Sequence, residues 1–551
     1  MSYTQRQIYA TGLFLFLVPT LIFTLSSLVL LLKLPLFGNI FLISLVIATF
    51  LTHRLSMDKD TLISVKAFLY LIIGGGLMFL SFWISGWFYD VSFDGQWYHQ
   101  DAILFFSKGW NPYYDPLLTD GVVSGNNANY VNHYPKATWI YQSIVYLFFG
   151  SIELGKALHL QLILSFGLLL FSFLSTKTTL SAVHRVFLVL VAIATPITMG
   201  QIFSFYVDGV LYCFLGLFLV FLIKHVVYQD GGHWELFFSF LFLINIKFTG
   251  LVYALLFAFA AFLYLMAIHK ESLKGYVVRF SAIAFCGIFL FGFPTYGRNL
   301  IEKKHVFFPI MGENNEGLLI AQAQYPKDFY PLNRFEKFFR AHGAIPNYTA
   351  NTHPSLLKEK LFQPGFIRSS IPYYRNHQPV TMSPFGPFEL ELWVLFSLSI
   401  ILFFIYVRNW KIYLLLGFVL FSLLVQPEFW NLRYAPQLLW VILVVQGALL
   451  VVNNRLVRFY SALFCVLFMG NGMIASIENW GWVSDRNGQL KSKLMELSNR
   501  KVVIHPGWMN SFNLKLNDYD IKPSAKVGDR KKALDFYEGD FTGWKYNEIS
   551  E

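Results

Sequence analysis

The sequence predicts an all-α polytopic membrane protein on three observations. The 551 residues are 56% hydrophobic and 19% aromatic, and only 14% are charged, far below the charged share of a soluble domain. Many apolar runs reach the roughly 17–25 residues that a helix needs to cross a bilayer core. Many lysines and arginines flank these runs, where they set orientation and meet anionic headgroups. The net charge of +11 therefore indicates contact with membrane lipids, and no nucleic-acid partner is expected.

The length criterion predicts about thirteen transmembrane helices. The first has no small-residue cleavage site and is followed by further spans, so we interpret it as a retained helix and not a removable signal peptide. The seventh is short and charged at both ends. In chain order the predicted spans lie near residues 9–32, 35–52, 67–87, 156–175, 186–203, 208–224, 235–247, 249–268, 279–296, 390–407, 411–426, 435–453 and 458–476.

Basic residues between the spans fix the expected orientation. If the N-terminus is cytoplasmic, nearly every cytoplasmic turn is basic, as the positive-inside rule requires. Examples are Lys177 with Arg185, and Arg408 with Lys411. Three long segments then lie on the outer side, and loops this long are uncommon unless they are functional.

This orientation divides the chain into six parts. The small outer segment at the C-terminus is near the lower size limit for an independent core, and it suits a small α/β unit. The parts are three N-terminal transmembrane helices (1–87), a first large outer loop with interfacial helices (88–155), central transmembrane helices (156–296), a second large outer loop (297–389), C-terminal transmembrane helices (390–476) and a small polar outer-face segment (477–551).

The first outer loop opens with a dense polar and aromatic stretch, DVSFDGQWYHQDAILFFSKGWNPYYDP, at residues 90–116. Asp90 and Asp94 lie a few residues after the third predicted span. A carboxylate at this depth suits a general base or a metal ligand. It equally suits the N-cap of a helix that begins near Gly95, because Asp is a favoured N-cap. Residue type and position leave both interpretations open.

Further charged residues lie near the outer ends of the spans. Each alone is explained as an interfacial anchor whose side chain reaches to water. Ionisable groups at membrane depth are, however, costly and usually functional. Two acids with three permanent cations at one depth indicate a site for a negatively charged, lipid-borne substrate. The residues are Asp208 at the start of the sixth span, Lys247 between the seventh and eighth, Arg298 at the end of the ninth and Arg433 before the twelfth, with Asp94 and His133 on the same side.

One reaction type suits this set of groups. A polyprenyl-phosphate sugar presents its phosphate at headgroup level while its tail stays among the helices. The cations would neutralise that phosphate and stabilise it as the leaving group. A carboxylate would take the proton of an acceptor hydroxyl as it attacks the anomeric carbon. Aromatic side chains of the loop would stack on sugar rings, or form an interfacial belt: Trp97, Tyr98, Trp110, Tyr113 and Tyr114.

Short motifs resemble those of bacterial GT-C superfamily glycosyltransferases, in the same order along the chain. The first, Asp94-Gly-Gln-Trp-Tyr98-His99, is similar to the D-x-x-x-Y-H pattern of their first outer loop. The others are Gly109-Trp110-Asn111-Pro112, His133-Tyr134-Pro135, Tyr206-Val207-Asp208, Lys247-Phe-Thr-Gly250, Arg298-Asn299 ahead of His305 and Phe308-Pro309, and Asn431-Leu-Arg433-Tyr434 with Pro436. Together they cover most of the membrane portion.

The resemblance implies a GT-C-like integral membrane enzyme of a bacterial inner (cytoplasmic) membrane, with its active face outward. It implies inverting transfer of a hexosyl or pentosyl group from a polyprenyl-phosphate-linked sugar donor to a glycan, lipid or protein acceptor. An acid of the first outer loop is then the catalytic base, and Asp94 matches best, with Asp90 second. The expected donor-phosphate contacts are Lys247, Arg298 and Arg433, and the expected substrate contacts are Asp208, His133, Tyr98, His99 and Trp110.

No cofactor is expected, although the donor set does not exclude a divalent metal. The oxygen and nitrogen ligands that Mg²⁺ or Mn²⁺ prefers are present in Asp90, Asp94, Asp208 and His133. No metal-ligand spacing such as HExxH joins them. A phosphate balanced by lysine and arginine needs no metal.

Two other functions use the same chemistry. A lipid-linked glycan flippase or transporter would bind the same headgroup, but its charges are expected near the membrane midplane in paired repeats. A Wzy- or O-antigen-ligase-type enzyme would depend on basic residues of a large outer loop, which a solvated polar loop also explains. The basic residues of the loop 297–389 include His305, Arg334, Arg340, His342, Arg368 and Arg375. Only the glycosyltransferase requires Asp94 for chemistry.

Overall fold

The protein is mostly helical, with a small antiparallel sheet near its C-terminus. Its structure is a computed structural model that describes residues 2–57, 68–123, 127–230, 232–313, 329, 331–344, 368–376, 378, 382–498, 500, 502–522, 533–537, 540 and 542–548. Much of the predicted second outer loop, including Leu356 and Lys360, thus lies outside the described residues.

The α-helices of the first half begin with a 29-residue helix whose N-terminus carries a capping box between Ser2 and Gln5. In chain order they are α1 Tyr3–Leu31, α2 Ile40–Ser56, α3 Leu69–Ser85, α4 Gln100–Ser107, α5 Ala128–His133, α6 Ala137–Phe149, α7 Ala157–Lys177, α8 Ala182–Ile193, α9 Pro196–Met199, α10 Asp208–Val226, α11 His233–Ile244, α12 Phe248–Ile268, α13 Lys270–Phe285 and α14 Arg298–Lys303.

The helices that follow are α15 Arg334–Gly343, α16 Glu389–Tyr406, α17 Trp410–Val425, α18 Leu438–Val451, α19 Arg455–Ser498 and α20 Phe512–Asn517. Short irregular turns complete the helical structure. They are π-helical at Gly95–His99, Cys286–Phe291 and Phe293–Gly297, and 3-10 helical at Ile152–Lys156 and Ile371–Tyr374.

Within the described residues, seven helical segments are long and apolar enough to cross a membrane, so the protein is membrane-embedded. They are Tyr3–Leu31, Ile152–Lys177, Asp208–Val226, Phe248–Ile268, Lys270–Phe291, Glu389–Tyr406 and Arg455–Ser498. The other six predicted spans coincide with shorter apolar helices, α2, α3, α8, α11, α17 and α18. The number of spans, thirteen, remains a prediction.

Three local features differ from the sequence prediction. The fifth span, predicted as continuous over 186–203, ends at Ile193 because Pro196 cannot continue the hydrogen-bond ladder and restricts Thr195 before it. The stretch 137–149, assigned to an outer loop, is the apolar helix α6, which packs on α1 and α4. The last predicted span, 458–476, is only the first part of the 44-residue helix α19.

The centre of the bundle is formed by α1 and α10, whose side chains are buried on nearly all sides. Such helices need partners all round, and α1 packs on α2, α3 and α7, while α10 packs on α7, α11 and α12. Gly216 of α10 lies where the rings of Phe166 in α7 and Trp440 in α18 meet the helix. A Cβ at this position would approach those rings to 2.6 and 2.7 Å, so only glycine fits.

The end of α19 carries a small C-terminal unit, defined here as the described residues of 502–548. Its strands β1 Val502–His505, β2 Leu534–Asp535 and β3 Lys545–Glu548 form an antiparallel sheet in the order β1-β3-β2. Leu490, Leu494 and Leu497 of α19 complete its apolar core, together with residues such as Phe512 and Trp544. The predicted α/β unit is therefore present, and its core depends on α19.

We expect Gly216→Ala to lower the stability of the bundle by about 1–3 kcal/mol, because the added methyl group overpacks the junction of three helices. The measurement is thermal unfolding in detergent. Gly417→Ala is the matched control, since nothing lies within 4 Å of a Cβ at that position of α17. An equal loss of stability in the two variants would contradict this account of the helix junction.

Candidate functional site

A cavity of about 400 Å³ lies where the first outer loop meets the N-terminal end of α12 and the chain before α18. Asp94 and Tyr98 of the loop line one side of it. Lys247 and Phe248 at the start of α12 line another, and Arg433 a third. The cavity therefore gathers four of the residues that the sequence singled out, from three separate parts of the chain.

Arg433 joins the two acids at the edge of this cavity. Its Nη2 donates to Oδ2 of Asp94 at 2.7 Å, and its Nε donates to Oδ2 of Asp208 at 2.9 Å. Nζ of Lys247 contacts the other oxygen of Asp208, Oδ1, at 2.7 Å. Asp208 is fully buried behind the cavity, whereas the side chain of Asp94 keeps 15% of its surface exposed. We call these four side chains the charge cluster.

Local structure explains how each charge reaches the cluster. Asp208 is the first residue of α10, where a carboxylate is favoured by the helix dipole. Lys247 is the extended residue before α12. Arg433 is presented by a turn in which Oδ1 of Asn431 accepts its backbone N–H at 3.0 Å. The starts of α10 and α12 and the turn before α18 thus bring Asp208, Lys247 and Arg433 into contact.

Asp94 does not cap the helical turn that follows it. Its carboxylate makes no capping hydrogen bond to Gly95–His99, and it is turned instead to Arg433. Of the two interpretations that the sequence left open, the N-cap is therefore excluded by the geometry. Asp94 lines the cavity, and among the described residues its hydrogen bond to Arg433 is made through Oδ2.

The surroundings of Lys247 and Arg433 shift the pKa values of these two side chains in opposite directions. Burial lowers the pKa of Lys247, and Arg433 adds to this, while Asp208 opposes it. Burial also acts to lower the pKa of Arg433, but the carboxylates of Asp208 and Asp94 raise it overall. Aromatic faces support both, since Lys247 Nζ lies 4.6 Å from the ring centre of Tyr434 and the Arg433 guanidinium 4.7 Å from that of Tyr206.

An aromatic wall faces the cations across the cavity. Tyr98 stacks on Tyr130 with ring centres 5.4 Å apart, and Trp97 and Tyr134 pack against the same pair. Trp97 and Thr249 are also lining residues, and among the described residues their Nε1 and Oγ1 atoms are buried without a hydrogen-bond partner.

Asp90 is not brought to the cavity. Its two carboxylate oxygens accept the backbone N–H groups of Ser92 at 2.7 Å and Phe205 at 2.8 Å, and the side chain is fully buried. Burial raises the pKa of Asp90 to about 6, against the effect of Lys156. Gly95 lies so close that a Cβ there would collide with the Asp90 carboxylate. These contacts tie the Asp94 turn to the chain just before Asp208.

Arg298 is also separate from the cavity, so the three predicted phosphate contacts are not brought together. Its guanidinium forms an ion pair with Glu302, at 2.8 Å, and donates to the carbonyls of Pro112 and Asp115 at 2.9 and 3.0 Å. It therefore fastens the Trp-Asn-Pro turn of the first outer loop to the start of α14. The lysine and arginine that share the cavity are Lys247 and Arg433.

The remaining predicted substrate contacts divide in the same way. Tyr98 lines the cavity, whereas His99, Trp110 and His133 are not among its lining residues. Nδ1 of His99 accepts from Nε1 of Trp139 at 2.7 Å. The indole N–H of Trp110 donates to the carbonyl of Pro116.

His133 is held by Asn299, whose Oδ1 lies 2.7 Å from Nδ1 of the histidine. Burial lowers the pKa of both His99 and His133 to about 3. Both imidazoles are therefore neutral near pH 7, and neither contributes positive charge to the loop.

Glu428 is a cavity residue that the sequence analysis missed. It lines the cavity, accepts a hydrogen bond from the indole of Trp430, and lies 3.6 Å from Nζ of Lys337 in α15. The signal was present in the run QPEFWNLRY, in which an acid precedes Arg433 by five residues. The cavity is thus lined by a second carboxylate besides that of Asp94.

Three basic residues of the second predicted outer loop have separate partners. His342 is buried against Glu389, Arg334 donates to the carbonyl of Leu424, and Arg375 pairs with Asp485. Over the described ranges, no three His, Cys, Asp or Glu side chains are grouped so as to hold a metal ion.

The two buried histidines predict a pH effect on stability. In the unfolded chain a histidine titrates near pH 6.5, and in the fold His99 and His133 titrate at about 3. Between these values the unfolded state binds more protons, so stability falls as the pH is lowered, by up to about 1.4 kcal/mol per pH unit for each histidine.

We expect His133→Gln to flatten this loss, because glutamine stays neutral at acid pH. The measurement is the unfolding temperature in detergent between pH 4 and 7. An unchanged slope in the variant would show that His133 is not neutral in the fold.

Comparison with known proteins leaves the function to be argued from the site. No protein-family model, no curated protein and no solved structure matches the chain. The likeness of its short motifs to GT-C glycosyltransferases therefore stands as an expectation, beside a membrane-embedded helical fold with one charged, aromatic cavity.

Proposed function

We propose that the protein is an inverting GT-C-type glycosyltransferase that moves a sugar from a polyprenyl-phosphate donor to an acceptor on the outer membrane face. The observation that carries the proposal is the placement of Asp94, Lys247 and Arg433 on one aromatic-lined cavity at the ends of apolar helices. A single bound donor would then reach the proposed base, the proposed phosphate contacts and the aromatic side chains of the cavity.

Asp94 is the acid suited to act as the base. Asp208 is fully buried and shares both oxygens with cations, whereas Asp94 is partly exposed and binds Arg433 through one oxygen. Its Oδ1 would accept the proton of an acceptor hydroxyl while the hydroxyl oxygen bonds to the anomeric carbon. The bond from that carbon to the phosphate oxygen breaks at the same time, on the opposite face of the sugar.

Lys247 and Arg433 are suited to receive the departing phosphate. The electron pair of the broken bond stays on the phosphate oxygen, where fixed cations stabilise the new charge. Asp208 holds both cations in place before the reaction, at 2.7 and 2.9 Å. A site arranged in advance has little reorganisation to undergo during the transfer, and this lowers the barrier.

The rest of the cavity suits a lipid-linked sugar. A volume of about 400 Å³ lies in the usual range of small-ligand sites. Tyr98, Tyr130 and Trp97 offer ring faces for a sugar. Apolar side chains at the other end suit the first part of a prenyl tail: Val252, Phe307, Ile310, Met311 and Val425.

The first test is sugar transfer by the purified protein in nanodiscs, with a panel of radiolabelled polyprenyl-phosphate sugars. We expect Asp94→Asn to lower the rate by about 10²–10⁴-fold, the usual worth of a general base, with donor binding retained. Asp520→Asn makes the same chemical change at an exposed position and is the control.

Glu428→Gln identifies which cavity carboxylate is the base. If Asp94 is the base, the Glu428 variant keeps transfer within about tenfold of the wild type, as expected for a residue outside the chemical step. A fully active Asp94→Asn beside an inactive Glu428→Gln would move the base to Glu428. Headgroup translocation in liposomes without transfer would instead support a flippase.

The second test separates the three predicted phosphate contacts by donor affinity. We expect Lys247→Met and Arg433→Lys to weaken binding by about tenfold or more, because each loses charge-assisted or bidentate contacts. Arg298→Met is the matched comparison and leaves affinity nearly unchanged, since Arg298 is engaged by Glu302. Equal weakening in all three variants would contradict this assignment.

A further inference from the structure

The C-terminal unit contacts the first outer loop on both sides of Asp94. Before Asp94, the Tyr89 hydroxyl donates to the Asp518 carboxylate at 2.8 Å. After it, the Ser511 hydroxyl donates to the carbonyl of Gln96 at 3.0 Å, and the Asn510 amide donates to the carbonyl of Val122 at 3.1 Å. The turn that carries Asp94 is therefore held by residues more than 400 positions away in sequence.

Lys515 of the C-terminal unit also contacts this loop, and its side chain is buried. Only 1% of its surface is exposed, and its Nζ donates to the backbone carbonyl of Asp90 at 2.8 Å and to Oε1 of Gln96 at 2.5 Å. Asp90 and Gln96 lie on either side of Asp94 in sequence. The ammonium group of Lys515 thus joins the chain before Asp94 to the chain after it.

The same lysine balances a buried set of charges. Asp90 donates its backbone N–H to Oε2 of Glu153 at 3.0 Å, and Glu153 pairs with Lys156 at 2.6 Å. Together with Lys515 the set contains two acids and two cations, all at most 5% exposed. Loss of Lys515 leaves an unbalanced buried acid next to the turn, which buried sites tolerate poorly.

We propose that Lys515 is a positioning residue that holds the Asp94 turn in place for the transfer, and that the C-terminal unit is part of the active site for this reason. The inference rests on the proposed function of Asp94. Lys247 and Arg433 come from other elements, and Asp208, which lies outside the turn, holds both. Movement of the turn therefore changes the distance from Asp94 to the donor more than it changes the phosphate contacts.

The test begins with hydrogen–deuterium exchange of the full-length protein in nanodiscs. In Lys515→Met we expect faster exchange of amides in 90–101, with α10 and α12 protected as in the wild type. Lys522→Met is the matched control, because Lys522 is exposed in the same segment. Gln96→Leu removes the same contact from the loop side and is the second variant if Lys515→Met does not fold.

Unchanged exchange in 90–101 in folded Lys515→Met or Gln96→Leu would overturn the proposal. In the transfer assay, kcat is expected to fall by about tenfold to a hundredfold, as for an ångström-scale misplacement, and the KM for the donor is expected to change by a smaller factor. A loss of donor affinity equal to the loss of rate would also overturn it. The double variant should lose less than the sum of the two single losses, since both variants remove the Lys515–Gln96 contact.

Hydrogen–deuterium exchange is measured without substrate. The proposed function and the positioning role of Lys515 are therefore tested independently. If the wild type transfers no sugar but Lys515→Met loosens 90–101, the proposed function is overturned and the hold of Lys515 on the loop is retained. If transfer depends on Asp94 but 90–101 is unaffected, the function is retained and the positioning role of Lys515 is overturned.

Discussion

The site depends on the burial of one carboxylate. Asp208 has no exposed surface, and an ionised group so placed must be paired, because the cost of removing it from water is several kcal/mol. Its two partners, Lys247 and Arg433, lie 39 and 225 positions further along the chain. Satisfying Asp208 therefore brings the starts of α10 and α12 together with the turn before α18, and these elements form the cavity wall.

Asp90 and Asp94 of the first outer loop are four positions apart in sequence, yet their surroundings differ. Asp90 is enclosed and accepts two backbone N–H groups, while Asp94 reaches Arg433 at the cavity. The close approach of Gly95 to Asp90 allows this, because the chain turns there without a side chain in the way. The enclosed acid fixes the backbone, and the partly exposed one pairs with Arg433 in the charge cluster.

Sequence reasoning found most of the helices and all four side chains of the charge cluster, since apolar length and costly charges at membrane depth are both visible in the chain. It grouped Arg298 with the other cations, although Glu302, four residues later, was a readable ion-pair partner. It gave Asp90 and Asp94 similar weight because their hydrogen bonds reach Phe205 and Arg433, over 100 and 300 positions away. The hydrogen bond from Lys515 to Gln96 spans 419 positions, and no local sequence pattern indicates it.

The 44-residue helix α19 extends from the membrane bundle to the C-terminal unit. At 1.5 Å per residue it is about 66 Å long, more than twice the thickness of a bilayer core. Its apolar beginning lies among the membrane helices, and its far end forms part of the core of the C-terminal unit. One continuous helix thus joins the membrane bundle to the unit that contacts the first outer loop on both sides of Asp94.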